Sequence, residues 1–313
     1  MGSKLARLST TLALVLAMLG GQAAAQNAAN GAAPAPGGST RTDSNTMAYH
    51  GGPIMVGTED VYIIWYGCWA QPGCGGADAQ YNDQTTVNIM TDFSSRVGGS
   101  PYFQINAMYP NDYGQTPSGG LLFGGEIFDR YSRGSTLTEA DLARIVADTI
   151  VSSLLPQDPT GVYVVVTSSD VTLEDGATKF CLTCCNFHGS GMALGTPFRY
   201  AFVGNPARCP GGCASQFDGV ASPNANFAAD AMVSWPVHAL SGTVTNATGH
   251  GWYDRYGLEN AEKCEGTYGT TQVVTNPDGQ PAESNITLYG THYLLQQNWV
   301  NSKKGHCAMN SSQ

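Results

Sequence analysis

The chain has 313 residues, of which 14 are Lys or Arg and 24 are Asp or Glu, so its formal charge is −10 at neutral pH. This acidic balance argues against nucleic acid and anionic membranes as partners, because both are negatively charged. Charged residues make up only 12% of the chain, and the 39 glycines suit a compact, loop-rich extracellular domain.

The first 25 residues have the pattern of a secretory signal peptide. Lys4 and Arg7 provide a positive start, Leu12–Leu19 is apolar, and Ala23–Ala25 offers a small-residue cleavage site. The apolar run is too short to span a bilayer. Removal of residues 1–25 leaves 12 basic and 24 acidic residues, a charge of −12. We therefore expect an exported, extracellular protein without a membrane span.

Residues 26–46 are rich in Ala, Gly, Pro, Asn, Ser and Thr, which predicts a disordered linker. No second change of composition follows, so residues 47–313 are expected to form one domain.

Strands and helices alternate along that domain. Short β-branched and aromatic runs predict strands, and apolar residues at helical spacing predict helices. The predicted strands are Val61–Tyr66, Leu121–Phe128, Gly161–Thr167 and Phe198–Val203, and the predicted helices are Thr85–Val97, a segment from Thr138 to Leu155, residues 227–245 and Tyr293–Val300. This order predicts an α/β or α+β single domain with a mixed β-sheet and packed helices.

Nine cysteines in an exported chain predict disulfide bonds. Spacing suggests the pairs Cys68–Cys74, Cys209–Cys213, Cys181 with Cys184 or Cys185, and Cys264–Cys307, with one of Cys184 and Cys185 free. The Cys181-Leu-Thr-Cys184 segment leaves a redox or metal-binding role as the alternative. Three Asn-X-Ser/Thr sequences, at Asn246, Asn285 and Asn310, are glycosylation candidates if the host is eukaryotic.

The helix predicted over residues 227–245 carries a histidine in a position that suggests a metal site. A zinc hydrolase helix of the H-E-x-x-H type needs a carboxylate after the first histidine and a ligand four residues on. This chain has Ala239 and Gly242 there. His238 could still bind a metal together with Glu259 or Asp254, and the alternative is a histidine that is hydrogen-bonded or solvated on an amphipathic helix.

Four further residues are candidates for ligand binding. Trp252 and Tyr253 could form a sugar-stacking surface, although aromatic residues of secreted domains more often pack in the core. His188 lies in a Gly-rich turn without the G-x-S-x-G pattern of a serine hydrolase. Asp170 follows the predicted central strand, and ligands of α/β sheets bind at such strand ends, whereas a turn would explain it equally well.

Several ordered blocks resemble the EXORDIUM / phosphate-induced protein 1 family. They are Tyr49-His-Gly-Gly-Pro-Ile-Met-Val-Gly57, Val61-Tyr-Ile-Ile-Trp-Tyr-Gly67, Val165-Val-Thr-Ser-Ser-Asp-Val171, Phe187-His-Gly189, Tyr200-Ala-Phe-Val-Gly-Asn205, Cys209-Pro-Gly-Gly-Cys213, Asp230-Ala-Met232 and Gly242-Thr-Val-Thr-Asn246. The linker, Cys68, Cys74 and the segment 259–263 differ from typical plant members, which suggests a microbial relative.

The resemblance implies a secreted protein of the apoplast or cell wall that is linked to growth and cell expansion. We expect it to be non-catalytic and to bind a cell-wall glycan or an extracellular protein, without a cofactor. Some relatives resemble H-E-x-x-E where this chain has His238-Ala-Leu-Ser-Gly242, which implies a zincin-like ancestor. The alternative is therefore a divergent zinc-dependent hydrolase of zincin type.

Overall fold

The architecture comes from a computed structural model, which describes residues 46–217 and 219–312. The predicted signal peptide and all of the predicted linker except Thr46 lie outside the described residues. Within the described ranges, no helix has the length and apolar content needed to cross a bilayer.

The elements are short and closely spaced. The strands are β1 (Ala48–Tyr49), β2 (Gly57–Tyr66), β3 (Pro117–Asp129), β4 (Thr136–Leu137), β5 (Gly161–Thr167), β6 (Thr172–Asp175), β7 (Thr178–Lys179), β8 (Asn186–Ala193), β9 (Thr196–Gly204), β10 (Trp252–Tyr253), β11 (Gln272–Thr275), β12 (Pro281–Ser284), β13 (Ile286–Leu288), β14 (Thr291–Tyr293), β15 (Asn298–Val300) and β16 (His306–Ala308). The α-helices are α1 (Gln84–Arg96), α2 (Glu139–Val151), α3 (Pro210–Cys213), α4 (Phe227–Met232) and α5 (Ser234–Thr245).

The largest sheet has five strands in the order β3-β2-β5-β9-β8. The first four are parallel, and β8 is antiparallel to β9 at one edge. All seven residues of β5 are buried, because helices cover both faces of a parallel sheet. From β2 the chain crosses to β3, which lies on one side of β2. From β3 it crosses back to β5, which lies on the other side of β2. Such a reversal opens a crevice at the carboxyl ends of the two central strands.

Helices α1 and α2 lie on opposite faces of this sheet, since right-handed crossovers in opposite directions require it. Asp83 caps α1 by accepting from the Thr86 amide, and Thr138 and Asp141 form a capping box on α2. Helix α2 packs against β5, β8 and β9, and α5 packs against the same three strands. The mixed sheet with packed helices confirms the predicted α/β class, whereas nothing among these elements supports a zincin-like variant.

The predicted helix over residues 227–245 is wrong in two respects. It is divided at Val233 into α4 and α5, and every residue of α5 except His238 is buried, so the helix is central and not amphipathic. Its polar side chains are satisfied by neighbouring groups: Thr243 and Thr245 donate to backbone carbonyls at 2.7 and 2.8 Å.

Two other predictions differ from the structure. Helix α2 ends at Val151 and not at Leu155, because the turn that follows places Ser153 at a φ of 55°. The segment Tyr293–Val300 is extended and contributes to two hairpins, β13–β14 and β15–β16. Its apolar residues have helical spacing by coincidence, since pairing with neighbouring strands decides the conformation of short segments.

Four disulfides join the loops, and two of them differ from the predicted local pairs. Cys68 is bonded to Cys74 and Cys264 to Cys307, which are the pairs that their spacing suggests. The remaining bridges are Cys181–Cys209 and Cys185–Cys213, and Cys184 is free. The predicted Cys209–Cys213 pair, the predicted pairing of Cys181 with Cys184 or Cys185, and Cys184 as a disulfide candidate are therefore wrong, whereas the prediction that one of Cys184 and Cys185 is free is confirmed. Cys209 and Cys213 lie at the two ends of α3 beside the 181–185 segment, so each faces a cysteine there.

This pairing predicts one free thiol in the denatured chain. Burial and the charge of Glu139 raise the pKa of Cys184 to about 12, so it should react slowly in the folded protein. We expect Ellman's reagent to titrate one thiol in denaturant and Cys184→Ser to titrate none. A Cys184→Ser protein that still shows a thiol would contradict the pairing.

Candidate functional site

A polar cluster lies against the middle of α5, where Gly242 leaves room for it. A Cβ atom on Gly242 would stand 2.2 Å from Glu259 Oε2 and 2.8 Å from His188 Nε2. Both distances are shorter than real Cβ contacts, so only glycine lets these two side chains approach the helix. Gly242 therefore stands where a metal ligand was expected, and it also leaves the space that the ion pair of His188 and Glu259 occupies.

His188, from β8, forms an ion pair with Glu259, from the loop after β10. His188 Nε2 lies 2.8 Å from Glu259 Oε2, and the two side chains are only 17% and 13% exposed. The other carboxylate oxygen, Glu259 Oε1, accepts from Asn246 Nδ2 at 2.5 Å. The cluster thus joins the edge strand, the end of α5 and the 254–265 loop.

His238 lies beside this pair and has its own partner. Gln296 Nε2 lies 3.1 Å from His238 Nδ1, and the same amide donates to the Ala261 carbonyl at 2.9 Å. Asp254 is directed elsewhere, because it forms a buried ion pair with Lys263 at 2.9 Å. Nowhere in the described part of the chain do three or more His, Cys, Asp or Glu side chains gather so as to hold a metal ion. Metal binding by His238 and Glu259 stays a prediction.

Burial and mutual charge set the protonation of the cluster. Burial lowers the pKa of His188, but the charge and hydrogen bond of Glu259 outweigh it and raise that pKa above its usual value. Burial would raise the pKa of Glu259, and His188 outweighs it in turn and lowers it. Burial lowers the pKa of His238 to about 4, so this ring is neutral at pH 7. Burial and the charge of Glu259 raise the pKa of Glu262 to about 7.

The two predicted stacking residues are packed against other aromatic rings. Trp252 lies between Tyr49 and Tyr109, with ring centroids 5.7 and 5.5 Å away, and its indole N–H donates to the Pro110 carbonyl at 2.9 Å. Tyr253 is stacked on His50 at 3.6 Å. One face of each ring is thus already covered by the protein.

Asp170 lies at the carboxyl end of β5, beside the reversal between β2 and β5. Its carboxylate accepts from Ser168 Oγ at 2.6 Å and from the Tyr131 hydroxyl. Ser168 in turn accepts from the amide of Cys68, the second residue after β2, at 3.0 Å. Side chains of the protein itself therefore occupy the centre of the crevice.

An open cleft of about 360 Å³ lies next to that crevice, and we call it the edge cleft. It is lined by Gln80, Tyr81, Asp83, Thr85, Asn224, Ala225, Asn226 and Phe227. Asn205, which follows β9, donates to the Tyr81 carbonyl at 2.9 Å and to Asn82 Oδ1 at 3.0 Å. Asn82 also accepts from the amide of Ser169, at the end of β5. These bonds place the edge cleft at the carboxyl edge of the sheet.

Several polar groups of the edge cleft are available to a ligand. Asp83 Oδ1 accepts from the Thr86 amide and hydroxyl, at 2.8 and 2.9 Å, while Oδ2 has no hydrogen-bond partner among the described residues. The exposed side chains of Gln80 and Thr85 also lack one within the described ranges. The rings of Tyr81 and Phe227 complete the wall. These residues carry no pattern that the sequence reveals, because they come from two segments about 140 positions apart that only the fold joins.

The predicted glycosylation sites differ in exposure. Asn246 is 4% exposed and binds Glu259. Asn285 is half-buried, and its Nδ2 donates to the Tyr268 and Leu295 carbonyls at 2.8 and 2.6 Å. Asn310 lies in the C-terminal turn and accepts from the Ser312 amide at 3.0 Å. Glycosylation of all three stays a prediction.

Gly242→Ala should destabilise the fold, because the added methyl group would overlap Glu259 and His188. We expect a loss of about 1–3 kcal/mol in the free energy of unfolding, the usual cost of overpacking. Urea unfolding measures it. Gly211→Ala on α3 is the control, since a Cβ atom there meets nothing within 4 Å. Equal stabilities of the two variants would contradict the tight contact.

Glu262→Gln should stabilise the protein at neutral pH and above. A pKa of about 7 in the folded protein, against 4.5 ordinarily, means that wild-type stability falls as pH rises from about 4.5 through 7. The amide side chain of Glu262→Gln does not titrate in this range. The free energy of unfolding of this variant should therefore exceed that of the wild type by about 1–3 kcal/mol at pH 8. Urea unfolding at pH 4.5 and pH 8 tests this, with the exposed Glu283→Gln as control. An advantage that does not change with pH would refute it.

Comparison with known proteins identifies the family to which this chain belongs. Residues 47–309 match the family described as "Phosphate-induced protein 1 conserved region". The chain is 30% identical to Protein EXORDIUM-like 3 of Arabidopsis thaliana, covering 81% of this chain and 80% of the relative. It is 29% identical to Protein EXORDIUM of the same plant and 26% identical to Protein PHOSPHATE-INDUCED 1 of Nicotiana tabacum, covering 71% and 72% of this chain and 74% of each relative. No solved structure gives a significant match. The chain therefore belongs to the EXORDIUM / phosphate-induced protein 1 family.

Proposed function

We propose that this protein is secreted, acts at the cell surface or in the cell wall, and binds carbohydrate in the edge cleft without catalysing a reaction. Because the chain resembles the plant proteins, we propose that it has a role in growth and cell expansion.

The covalent structure supports secretion. Four disulfides bridge the described domain, and such bonds persist in oxidising, extracellular compartments. The signal-peptide pattern of residues 1–25 points the same way.

The polar cluster on α5 supports a non-catalytic role. Catalysis by His188, His238 or Glu259 requires an atom that can reach a substrate. Glu259 is bound at both oxygens, by His188 and Asn246, and His238 is bound by Gln296. These side chains form hydrogen bonds within the protein, and they stabilise the packing of α5.

The observation that carries the proposal of carbohydrate binding is the composition of the edge cleft. A sugar presents hydroxyl groups at its rim, which amide, hydroxyl and carboxylate groups recognise, and C–H faces that pack on aromatic rings. Gln80, Thr85 and Asp83 Oδ2 supply the polar groups, and Tyr81 and Phe227 supply the rings. The position at the carboxyl edge of a parallel sheet is the usual one for ligands of such folds.

Binding of the secreted chain to an array of neutral plant and microbial wall polysaccharides tests the proposal. We expect at least one class to bind, and Thr85→Arg to weaken that binding about tenfold or more, since the long side chain occupies the cleft. Asn88→Arg is the matched control, because it adds the same side chain at an exposed position of α1 outside the cleft.

Two results would refute the proposal. One is the absence of binding to every polysaccharide on the array, and the other is equal binding by Thr85→Arg and Asn88→Arg. The zinc-hydrolase alternative has its own test. One equivalent of zinc in the untagged protein, lost in His238→Ala, would favour it.

A further inference from the structure

A second cleft, distinct from the edge cleft, lies between the segment before the 3₁₀ helix Phe103–Met108 and the hairpins at the end of the chain. Its volume is about 470 Å³, within the range of small-molecule sites. We call it the C-terminal cleft. It is lined by Pro101, Tyr102, Gly269, Thr270, Asn285, Ile286, Thr287, Leu288, Gln297, Met309 and Asn310.

Tyr102 is the unusual member of this lining. Its side chain is only 1% exposed, yet its hydroxyl has no hydrogen-bond partner anywhere in residues 46–217 and 219–312. The hydroxyl oxygen itself is not fully shielded from solvent, so it keeps contact with the cleft and can bond a water molecule or a ligand there. Burial raises the pKa of Tyr102 well above its usual value, and the group is therefore a neutral donor. A ligand in the cleft that accepts from this hydroxyl would replace the water molecule there.

The walls of the C-terminal cleft are held by the fold before any ligand enters. Asn285 donates to the Tyr268 and Leu295 carbonyls and accepts from the Leu295 amide at 2.9 Å. Gln297 donates to the carbonyl of Cys307, whose disulfide with Cys264 fixes the last hairpin. Preformed walls reduce the entropic cost of binding.

The chemistry of the lining defines the ligand class. None of the lining residues is Asp, Glu, Lys, Arg or His, so no group compensates a charge on the ligand. Pro101, Ile286, Leu288, Met309 and the ring of Tyr102 offer apolar contacts on one part of the wall. We propose that the C-terminal cleft binds an uncharged amphipathic molecule with a ring-sized apolar body and a hydroxyl or carbonyl group, which pairs with the Tyr102 hydroxyl.

A matched set of probes tests this proposal in the full secreted protein. The set is 4-phenylcyclohexanol, 4-phenylcyclohexanone, phenylcyclohexane and 4-phenylcyclohexanecarboxylate, with binding followed by saturation-transfer NMR and titration calorimetry. We expect the alcohol or the ketone to bind about tenfold more tightly than the hydrocarbon and the carboxylate, because only the first two offer Tyr102 a neutral partner.

Two tyrosine variants separate recognition from stability. Tyr102→Phe should remove the preference for alcohol or ketone over hydrocarbon and leave stability unchanged or raised. Tyr109→Phe is the control: its hydroxyl donates to the Trp299 carbonyl at 2.5 Å, so its loss should lower stability without changing the affinity for the probes. Thr287→Trp, at the exposed rim, should block all probes.

Three results would overturn the proposal. They are the absence of binding by the alcohol and the ketone at concentrations up to about 5 mM, where even weak small ligands bind, an affinity of the carboxylate equal to theirs, and an unchanged preference in Tyr102→Phe. The first result would mean that water alone serves the Tyr102 hydroxyl. Because the edge cleft is tested with other ligands and other variants, each proposal can fail without the other.

Discussion

The contact of His188 and Glu259 with Gly242 is the constraint on which much of the structure depends. Helix α5 is surrounded by protein on almost every side, and at Gly242 both β8 and the 254–265 loop contact it. An ion pair removed from water requires close geometry and satisfied neighbours. Close geometry is possible because Gly242 has no Cβ atom, so both side chains can approach the helix backbone. Asn246 satisfies the second oxygen of the Glu259 carboxylate. The edge strand, the central helix and the loop are thereby held in one arrangement.

The same contact explains how this chain differs from the H-E-x-x-H pattern of a zinc hydrolase. A helix with carboxylates at positions 239 and 242 would present oxygen atoms to a metal ion. Here the first position is a buried alanine, and the space at the second is taken by Glu259 from another segment. The carboxylate near the helix is satisfied by a histidine and an amide. The centre of the molecule is thus a packing element, and the open clefts lie at its periphery.

The sequence predicts those parts of the fold in which local pattern and tertiary burial agree. Strand β5 matches its predicted range, and α1 agrees to within one residue, because a buried parallel strand is apolar throughout and a surface helix has one apolar face. Helix α5 was predicted as amphipathic because Ser and Thr read as polar positions, whereas in the structure their hydroxyls bind backbone carbonyls inside the core. Strand β8 contains two glycines and no run of β-branched residues, and only its pairing with β9 makes it a strand.

The candidate sites are likewise predictable from sequence only where a local pattern marks a residue. Asp170 could be placed at a strand end from sequence, because the end of a strongly apolar run is visible in the chain. His188, His238 and Glu259 could be named but not joined, since 50 and 21 positions separate neighbouring members of the set. Tyr102 and Gln80 carry no sequence signal at all. What distinguishes them is their place on a cleft wall, which arises from long-range packing.

The bridge between Cys185 and Cys213 ties the start of the edge strand β8 to α3. Cys184 stands one position before Cys185, so a bond from Cys184 to Cys213 is the nearest covalent mistake. That wrong bond would leave Cys185, and not Cys184, as the free thiol, and it would tie the start of β8 to α3 one residue away from its native anchor. Oxidative folding of this protein must therefore choose between two adjacent sulfur atoms before the interior can close.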